Sequence, residues 1–319
     1  MKELFVGLDI GGSKLVAGVG GTDGKIDGMA STPTPKRLRP QEVVESLIEL
    51  ANLSLRKAGA IWKEIRGVGI SFGGPVDFQR GITVSCHHLP GWNNVPLVKV
   101  IKCQLHLPTI MDNDANAAAL GEARFGAGKS GEDLFFMTVS SGIGGGLILG
   151  GKIHRGAHSL AGEIGHTILR PEGPVCTCGR KGCLEALASG WSIQRNAKEA
   201  LANSKEKSLL RAIAEKDLDA RKVAEAAEKG DALALEVMAD AVEALGQGIG
   251  MVVNILNLPL VVVGGGVSKA GDVLFVPLRK AVKKYAMPEL SETMRVVPAE
   301  LEEKAPLLGA IALAAEATK

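Results

Sequence analysis

Short apolar runs alternate with longer stretches that have helical spacing. The short runs end in glycine or a polar residue and predict buried strands at 4–8, 67–72, 108–111, 134–139, 260–263 and 295–297. The longer stretches predict helices at 41–58, 95–105, 115–125, 232–256, 277–285 and 303–317. Strands that alternate with helices indicate an α/β architecture.

The strand–turn–strand pattern at the start of the chain recurs in its middle. Residues 4–19 and 134–149 each contain an apolar run, a turn of small residues and a second apolar run. An internal duplication, in which each domain opens with a hairpin that offers its turn to a ligand, would produce this pattern. Two unrelated glycine-rich hairpins would produce it as well.

Composition narrows the class of protein. The chain has 319 residues, of which 46% are hydrophobic and 23% charged, as in a globular protein of two domains. A net charge of +2 provides no broad basic face for nucleic acid or anionic lipid. The most apolar stretch, 249–263, contains Asn254 and Pro259, which argues against a membrane span. With no secretory pattern at the start, we expect a cytoplasmic protein that binds neither nucleic acid nor membrane.

Four residues have the spacing of a metal site. His166, Cys176, Cys178 and Cys183 offer one imidazole and three thiolates, a full tetrahedral set for Zn²⁺. Four protein ligands leave no position for water, so this zinc would be structural. The alternative is a redox cysteine pair beside an unrelated histidine. The remaining Cys86 and Cys103 are expected in the core.

Three glycine-rich turns follow predicted strands. In the first, Asp9 precedes Gly11, Gly12, Ser13 and Lys14, so that backbone N–H groups, a hydroxyl and an ammonium could hold a polyphosphate while Asp9 holds Mg²⁺. The second, Ser140–Gly146, and the third, Gly264–Gly266, lack bulk and suit a phosphate or a flat ring. Each alone could be an ordinary tight turn, but three in one chain favour a nucleotide.

Carboxylates mark two further positions. Asp114 follows Asn113 at the end of a predicted strand and could act as a general base, or simply as the N-cap of the next helix. Glu163 and Glu185 flank the metal motif and, with His166, could bind sugar hydroxyls. The alternative for both glutamates is an exposed position on a metal loop.

These motifs together resemble the ROK family of sugar kinases, repressors and open reading frames. The matching segments are Asp9–Lys14, Gly74–Asp77, Pro90–Asn93, Asp112–Glu122, Gly142–Gly146, Ala161–His166, Cys176–Glu185 and Gly264–Val267. The cysteine motif that follows Glu-x-x-His is very specific to this family. Within the family, the chain is similar to glucokinases and N-acetylhexosamine kinases.

The resemblance implies ATP-dependent phosphorylation of a hexose, with glucose as the first choice and the 6-hydroxyl as the acceptor. It implies two actin-like, ribonuclease-H-like α/β domains with the active site in the cleft between them. The first domain would span 1–114, with the helix at about 303–319 packed back on it, and the second would span 115–302 with a zinc loop at 166–183. Family members are commonly dimers or tetramers.

The resemblance also assigns roles. Asp114 matches the catalytic base, and the sugar ligands would be Gly74, Asn93, Asn113, Asp114, Glu163, His166 and Glu185. The phosphate loops would be Asp9, Gly11, Gly12, Ser13 and Lys14 together with Ser140, Ser141, Gly142, Ile143 and Gly144. Gly265 and Gly266 would face the adenosine.

Two alternatives and three departures accompany this assignment. The acceptor could be N-acetylmannosamine or N-acetylglucosamine, and the chain could instead be a non-catalytic sugar-sensing regulator of the same family. The chain has Ser71 and Gly73 where the family usually has Gly and Pro, and Ser140 where it usually has Gly.

Overall fold

The computed structural model describes residues 2–34, 39–84 and 91–318. The first half of the chain forms β1 (Leu4–Ile10), β2 (Lys14–Gly20), β3 (Ile26–Pro33), α1 (Pro40–Ala58), β4 (Ile65–Phe72), β5 (Val76–Asp77), β6 (Ile82–Thr83), α2 (Leu97–Leu105), β7 (Thr109–Asn113), α3 (Asp114–Phe125), β8 (Leu134–Val139), β9 (Ile143–Leu149) and β10 (Lys152–Ile153). The second half forms α4 (Leu184–Ala188), α5 (Gly190–Asn203), α6 (Ala220–Glu228), α7 (Ala232–Leu256), β11 (Leu260–Gly264), α8 (Asp272–Tyr285), α9 (Pro288–Thr293), β12 (Arg295–Pro298) and α10 (Ala305–Ala317). The α/β prediction is confirmed.

The chain divides into two compact units. The first comprises Met1–Glu132, Gly146–Gly162 and Glu300–Lys319, and the second comprises Asp133–Gly145 and Glu163–Ala299. This division groups α3 with the first unit, because α3 packs against α10. The domain boundary expected from the sequence lies at 114, where α3 begins.

The sheet of the first unit has the strand order β3-β2-β1-β4-β7. β1, β2 and β3 are antiparallel, whereas β1, β4 and β7 run parallel. Parallel strands end at the same edge, so Asp9 lies opposite Ser71, which in turn lies opposite Asp112. The sheet therefore gathers polar side chains of the first unit at one edge.

Glycines let α10 pack closely on this unit. A Cβ on Gly69 of β4 would lie 1.8 Å from the Ala310 carbonyl oxygen, and one on Gly309 would lie 1.7 Å from the Ala117 carbonyl oxygen. Both contacts are too short for any side chain, so glycine is required. On the sheet itself, α1 packs against β2 and β3 and buries Val43, Leu47 and Ala51.

The second sheet has the order β10-β9-β8-β11-β12. β11 runs parallel to both β8 and β12, and β9 pairs with β10 in an antiparallel hairpin. In the second unit, the long helix α7 packs against α4, α5, α6 and α8. β8 and β9 are neighbours in this sheet as β1 and β2 are in the first, an arrangement that either a duplication or two unrelated hairpins would produce.

Most predicted elements are present, with shifted ends. The helix predicted over 232–256 is observed with those bounds. The helix predicted over 277–285 begins earlier, at Asp272, and Pro277 lies inside it. The predicted start at Pro277 is wrong, because the helix includes this proline in its second turn at the loss of one backbone hydrogen bond.

The prediction for the two remaining cysteines is wrong for one of them. Cys103, in α2, is exposed rather than buried in the core. Cys86 lies outside the described residues, as does Pro90 of the matched motif. Within residues 2–34, 39–84 and 91–318, no helix combines the length and the hydrophobicity that a membrane span requires.

Candidate active site

The polar edge of the first unit begins with Asp9. Asp9 is buried, and its Oδ1 accepts a hydrogen bond of 2.7 Å from the Ser71 hydroxyl. Burial raises the pKa of the Asp9 carboxyl to about 6, while the Ser71 hydrogen bond and the charge of Lys14 oppose that rise. Carboxyl groups with strongly shifted pKa values are common at functional sites, and a carboxylate here could bind a cation.

The turn after Asp9 is held by backbone hydrogen bonds. The Gly11 N–H donates to the Lys14 carbonyl at 3.1 Å. Thr34 fixes the turn from β3's side, donating its hydroxyl to the Gly11 carbonyl at 2.7 Å and its N–H to the Ser13 carbonyl at 2.9 Å. The Lys14 ammonium pairs with Glu303 at 2.6 Å. Gly12 and Ser13 are exposed at the tip of the turn.

Asn113 and Asp114 stand where β7 passes into α3. The Asn113 side chain caps the helix, accepting hydrogen bonds from the N–H groups of Ala115 and Asn116. The alternative that Asp114 is only the N-cap is therefore wrong, because it is the first residue of α3. The Asn113 amide also donates to the Gly74 carbonyl at 3.1 Å, which ties the predicted sugar loop to this strand end.

Gly73 brings the backbone of β4 close to the carboxyl of Asp114. A Cβ at Gly73 would lie 3.6 Å from Asp114 Oδ2 and 3.0 Å from the Ile10 carbonyl oxygen. Asp114 is half-buried. The structure therefore brings Asp9, Gly73, Gly74, Asn113 and Asp114 to one edge of the first sheet. Asn93 is exposed on its own loop.

In the second unit, the turn between β8 and β9 is closed by Glu185. The Ser140 N–H donates to the Gly142 carbonyl at 2.8 Å, and the Ile143 N–H donates to Glu185 Oε2 at 3.1 Å. A Cβ at Gly142 would lie 2.5 Å from the same carboxylate oxygen, so a side chain there would displace the Glu185 carboxylate. Glu185 is buried, and the prediction of an exposed glutamate on a metal loop is wrong for this residue.

The other oxygen of Glu185 contacts the loop at 166–183 that carries the three cysteines, the cysteine loop. Thr177 donates its hydroxyl to Glu185 Oε1 at 2.8 Å, and the Cys176 thiol lies 3.7 Å from the same atom. One carboxylate thus connects the cysteine loop with the turn at Ser140–Gly144. Sequence reasoning gave Thr177 no role, because only the folded loop brings its hydroxyl to Glu185.

The ligand atoms of His166, Cys176, Cys178 and Cys183 lie within 4.8 Å of one another. The Cys178 and Cys183 sulfurs are 3.6 Å apart, and the Cys176 sulfur is 3.7 Å from His166 Nδ1. A tetrahedral ion with bonds of about 2.3 Å to sulfur spaces its ligands by roughly 3.8 Å, whereas a disulfide needs about 2 Å. The donor set therefore fits a tetrahedral metal ion.

Glycines shape this loop. Gly179 and Gly182 have φ of 85° and 72°, and a Cβ on Gly182 would lie 1.5 Å from the Arg170 carbonyl oxygen. The Cys176 N–H donates to the Arg180 carbonyl, which closes the turn at 2.7 Å. Hydrogen bonds from Arg180 lower the pKa of the Cys178 thiol to about 6, and the one from the Arg180 backbone has the largest effect. The loop thus favours the thiolate at Cys178, whereas burial raises the pKa of the Cys176 and Cys183 thiols.

Glu163 lies beside the same cluster. Although the residue is exposed, loss of water around its carboxyl raises its pKa, an effect that His166 opposes and Glu185 strengthens. Glu163, His166 and Glu185 are therefore close enough for their charges to affect one another. Together these groups offer hydrogen-bond acceptors and an imidazole to a polyhydroxylated ligand.

The third glycine-rich turn follows β11. Gly265 has a φ of 89°, and a Cβ there would lie 2.4 Å from the Val139 carbonyl oxygen at the end of β8. Gly266 is exposed and borders a cavity of about 380 Å³, which is also lined by Ala224, Lys269 and Asp272. This cavity lies within the second unit and is large enough for a flat heterocycle.

Comparison with known proteins identifies the family of the chain and supports its fold. The model of the ROK family matches residues 5–317. The chain is 34% identical to a glucokinase from Thermotoga maritima over 99% of this chain and 98% of that protein. It is 40% identical to an N-acetylmannosamine kinase from Escherichia fergusonii over 68% of this chain and 72% of that protein.

Solved structures give the same result. A ROK family glucokinase from Streptomyces griseus, in complex with glucose and AMPPNP, superposes with a TM-score of 0.85 at 32% identity, covering 98% of this chain and 99% of that one. The predicted two-domain, actin-like ATPase fold is thereby confirmed.

Proposed function

The chain belongs to the ROK family, and from this premise we propose that it transfers the γ-phosphoryl group of ATP to the 6-hydroxyl of glucose. The broader statement, that the protein is an ATP-dependent sugar kinase, has the support of glucokinases that match along almost the whole chain. The choice of glucose among hexoses is the narrower proposal.

The observation that carries the proposal is the carboxyl of Asp114 at the end of a parallel strand, beside two glycines. In our proposal Asp114 accepts the proton of the sugar hydroxyl while the oxygen of that hydroxyl attacks the γ-phosphorus of ATP. Phosphoryl transfer has a loose transition state, so the protein mainly positions the reactants and stabilises charge. A positioned general base contributes about 10²–10⁴-fold to the rate.

The other groups divide between nucleotide and sugar. Asp9 would hold Mg²⁺, directly or through water, and the ion would neutralise charge on the phosphates. The turns at Gly11–Lys14 and Ser140–Gly144 would bind the phosphates through backbone N–H groups. Gly265 and Gly266 would let the adenosine approach the backbone. Asn113, Glu163, His166 and Glu185 would bind sugar hydroxyls, with Gly74 and Asn93 on loops around the sugar.

We propose Zn²⁺ as the occupant of the four-residue cluster. Its role would be structural, because His166, Cys176, Cys178 and Cys183 complete a tetrahedral set. Through the Thr177 hydroxyl, the closed loop would fix the Glu185 carboxylate for the sugar. Assembly as a dimer or tetramer stays a prediction.

A second candidate acceptor is N-acetylmannosamine. The local identity of 40% to an N-acetylmannosamine kinase favours it over other N-acetylhexosamines. The same hydroxyl-binding groups would serve both sugars, so the room beside the 2-position decides between them. A sugar-sensing regulator would bind the sugar without turning over ATP.

The test is a coupled assay of ADP release with MgATP and a panel of glucose, mannose, N-acetylmannosamine and N-acetylglucosamine. We expect the highest kcat/KM on glucose and a loss of about 10²–10⁴-fold in Asp114→Asn. Asp23→Asn, a change to an exposed carboxylate in the first unit, is the matched control. Preference for N-acetylmannosamine would overturn the choice of glucose, and sugar binding without turnover would favour the regulator.

A further inference from the structure

Arg155 joins two separate parts of the first unit. Its Nε donates to Asp112 Oδ2 at 2.7 Å, and its guanidinium carbon lies 3.6 Å from the centre of the Phe78 ring. Asp112 is fully buried, whereas the Arg155 side chain is 22% exposed. Arg155 belongs to the loop after β10, far along the chain from both partners.

The Asp112 carboxylate is directed at the strand end that carries the proposed base. Its Oδ1 accepts hydrogen bonds of 2.9 Å from the Asn113 N–H and from Asn116 Nδ2. Three donors therefore fix one buried carboxylate, and one of them is the backbone of the residue before Asp114. A displacement of Asp112 would move the backbone at Asn113 and, with it, the first turn of α3.

The stacking partner of Arg155 lies on the hairpin β5–β6, which follows the predicted sugar loop. The Phe78 N–H donates to the Ser159 hydroxyl at 3.2 Å, and the Ala161 N–H donates to the Arg155 carbonyl at 3.0 Å. The hairpin and the loop 154–161 are thus held together by the stacked guanidinium and by a hydrogen bond. The start of the hairpin is attached to Asn113 through Gly74.

We propose that Arg155 is a positioning residue for the phosphoryl transfer, setting Asp114 through Asp112 and the sugar loop through Phe78. This inference rests on the proposed function. Arginine suits the task because its planar guanidinium can stack on a ring while its edge donates to a carboxylate. Lysine would keep the charge but not this combination.

Loss of Arg155 should impair use of the sugar more than binding of the nucleotide. In Arg155→Gln we expect kcat/KM for the sugar to fall about 100-fold, the loss that a misplacement near 1 Å can cause. The KM for the sugar should rise, because the hairpin beside Gly74 is released. The KM for ATP should change less than about threefold, because the proposed phosphate loops do not contact Arg155. For Arg155→Lys, kcat/KM for the sugar should lie between that of the natural protein and that of Arg155→Gln.

Loss of Arg155 also leaves a buried carboxylate uncompensated, which destabilises the fold by itself. The double variant D112N/R155Q removes both charges and keeps an oxygen acceptor for the Asn113 N–H. Its melting temperature should therefore recover towards that of the natural protein, while kcat/KM for the sugar stays low. Arg66→Gln, which breaks an exposed pair with Glu3 in the same unit, should leave both quantities unchanged.

The decisive measurements are kcat, both KM values and the melting temperature for these four variants. Activity that recovers together with stability in D112N/R155Q would overturn the inference, because it would assign Arg155 a purely structural role. Equal increases in both KM values would overturn it as well. If the natural protein turns over none of the sugars, the proposed function fails first, and the positioning role fails with it.

Discussion

The two sheets share one strand order but differ in chemistry where their parallel strands end. In the first sheet, β1, β4 and β7 end near Asp9, Ser71 and Asp112. Asn113 is the last residue of β7, and Asp114 follows it. In the second sheet, β8 and β11 end in Val139 and Gly264, and β12 ends in Pro298.

This difference shows how one topology supports two kinds of site. Parallel strands deliver whatever follows them to one edge, and the side chains there decide the chemistry. The first sheet delivers carboxylates, which suit a cation and a proton transfer. The second delivers small residues and backbone groups, which suit close approach of a ligand. In the second unit, the charged groups Glu163 and Glu185 lie beside the cysteine loop rather than at the strand ends.

The largest expected effect concerns that loop, which only the second unit contains. Cys183→Ala removes a fully buried ligand. We expect zinc content, measured by elemental analysis, to fall from one ion per chain to none. The free energy of unfolding should fall by several kcal/mol, less than the roughly 10 kcal/mol seen when isolated zinc peptides bind metal. Cys103→Ser is the control, because Cys103 is exposed on α2. Equal stability with and without metal would contradict the structural role.

The next effect concerns the buried carboxylate of the first sheet. Burial raises the pKa of Asp9 from its ordinary value of 3.8 to about 6, a difference worth roughly 3 kcal/mol. Below about pH 4 both states are protonated; from there to pH 6 the unfolded state loses its proton first, so stability falls as pH rises.

Asp9→Asn should therefore raise the free energy of unfolding by up to about 3 kcal/mol at pH 7, and by nothing below about pH 4. Urea unfolding without Mg²⁺ or nucleotide measures this difference. Kinase activity should fall at the same time, because the proposed Mg²⁺ ligand is lost. Asp23→Asn is the opposite control, because the pKa of Asp23 is lowered and its charge stabilises the fold slightly. A pH-independent gain would contradict the prediction.

A smaller effect tests the backbone approach in the second sheet. Gly265→Ala adds a Cβ next to the Val139 carbonyl and strains a φ of 89°, which should cost about 1–3 kcal/mol of stability. We also expect the KM for ATP to rise while the KM for the sugar is unchanged. Gly230→Ala is the matched control, because Gly230 has a φ of 81° with nothing within 4 Å of an added Cβ. Equal effects of both variants on the KM for ATP would indicate backbone strain alone.

The smallest effect concerns Ser140, where the family usually has glycine. The residue is exposed at the tip of its turn. Ser140→Gly should change the free energy of unfolding by less than about 1 kcal/mol, mainly through backbone entropy. It should change the KM for ATP by no more than about threefold. Thermal unfolding and ATP titration measure both, and a larger gain in ATP affinity would show that the serine obstructs the phosphate.

The departures from the family pattern illustrate the limit of reading positions without a fold. Ser71 and Gly73 both flank the predicted sugar loop in sequence. In the structure, Ser71 donates to Asp9 and so acts on the proposed metal ligand, whereas Gly73 approaches Asp114. Spacing along the chain could not separate these roles, because the first contact depends on the pairing of β4 with β1 and the second on the turn that follows β4.

The sequence by itself determined most of the core strands and helices, the α/β class, the grouping of one histidine with three cysteines, and the strand-end position of Asp114. These features depend on local spacing: apolar periodicity, glycines in turns, and ligands on one short loop. Only the tertiary structure decided that Glu185 is buried against the turn at Gly142, that Asn113 rather than Asp114 caps α3, and that Arg155 reaches Asp112. The Glu185 and Arg155 contacts join residues distant in the chain, and packing and the need to satisfy buried polar groups set their partners. The Asn113 cap is local, but it depends on backbone geometry that the spacing leaves open.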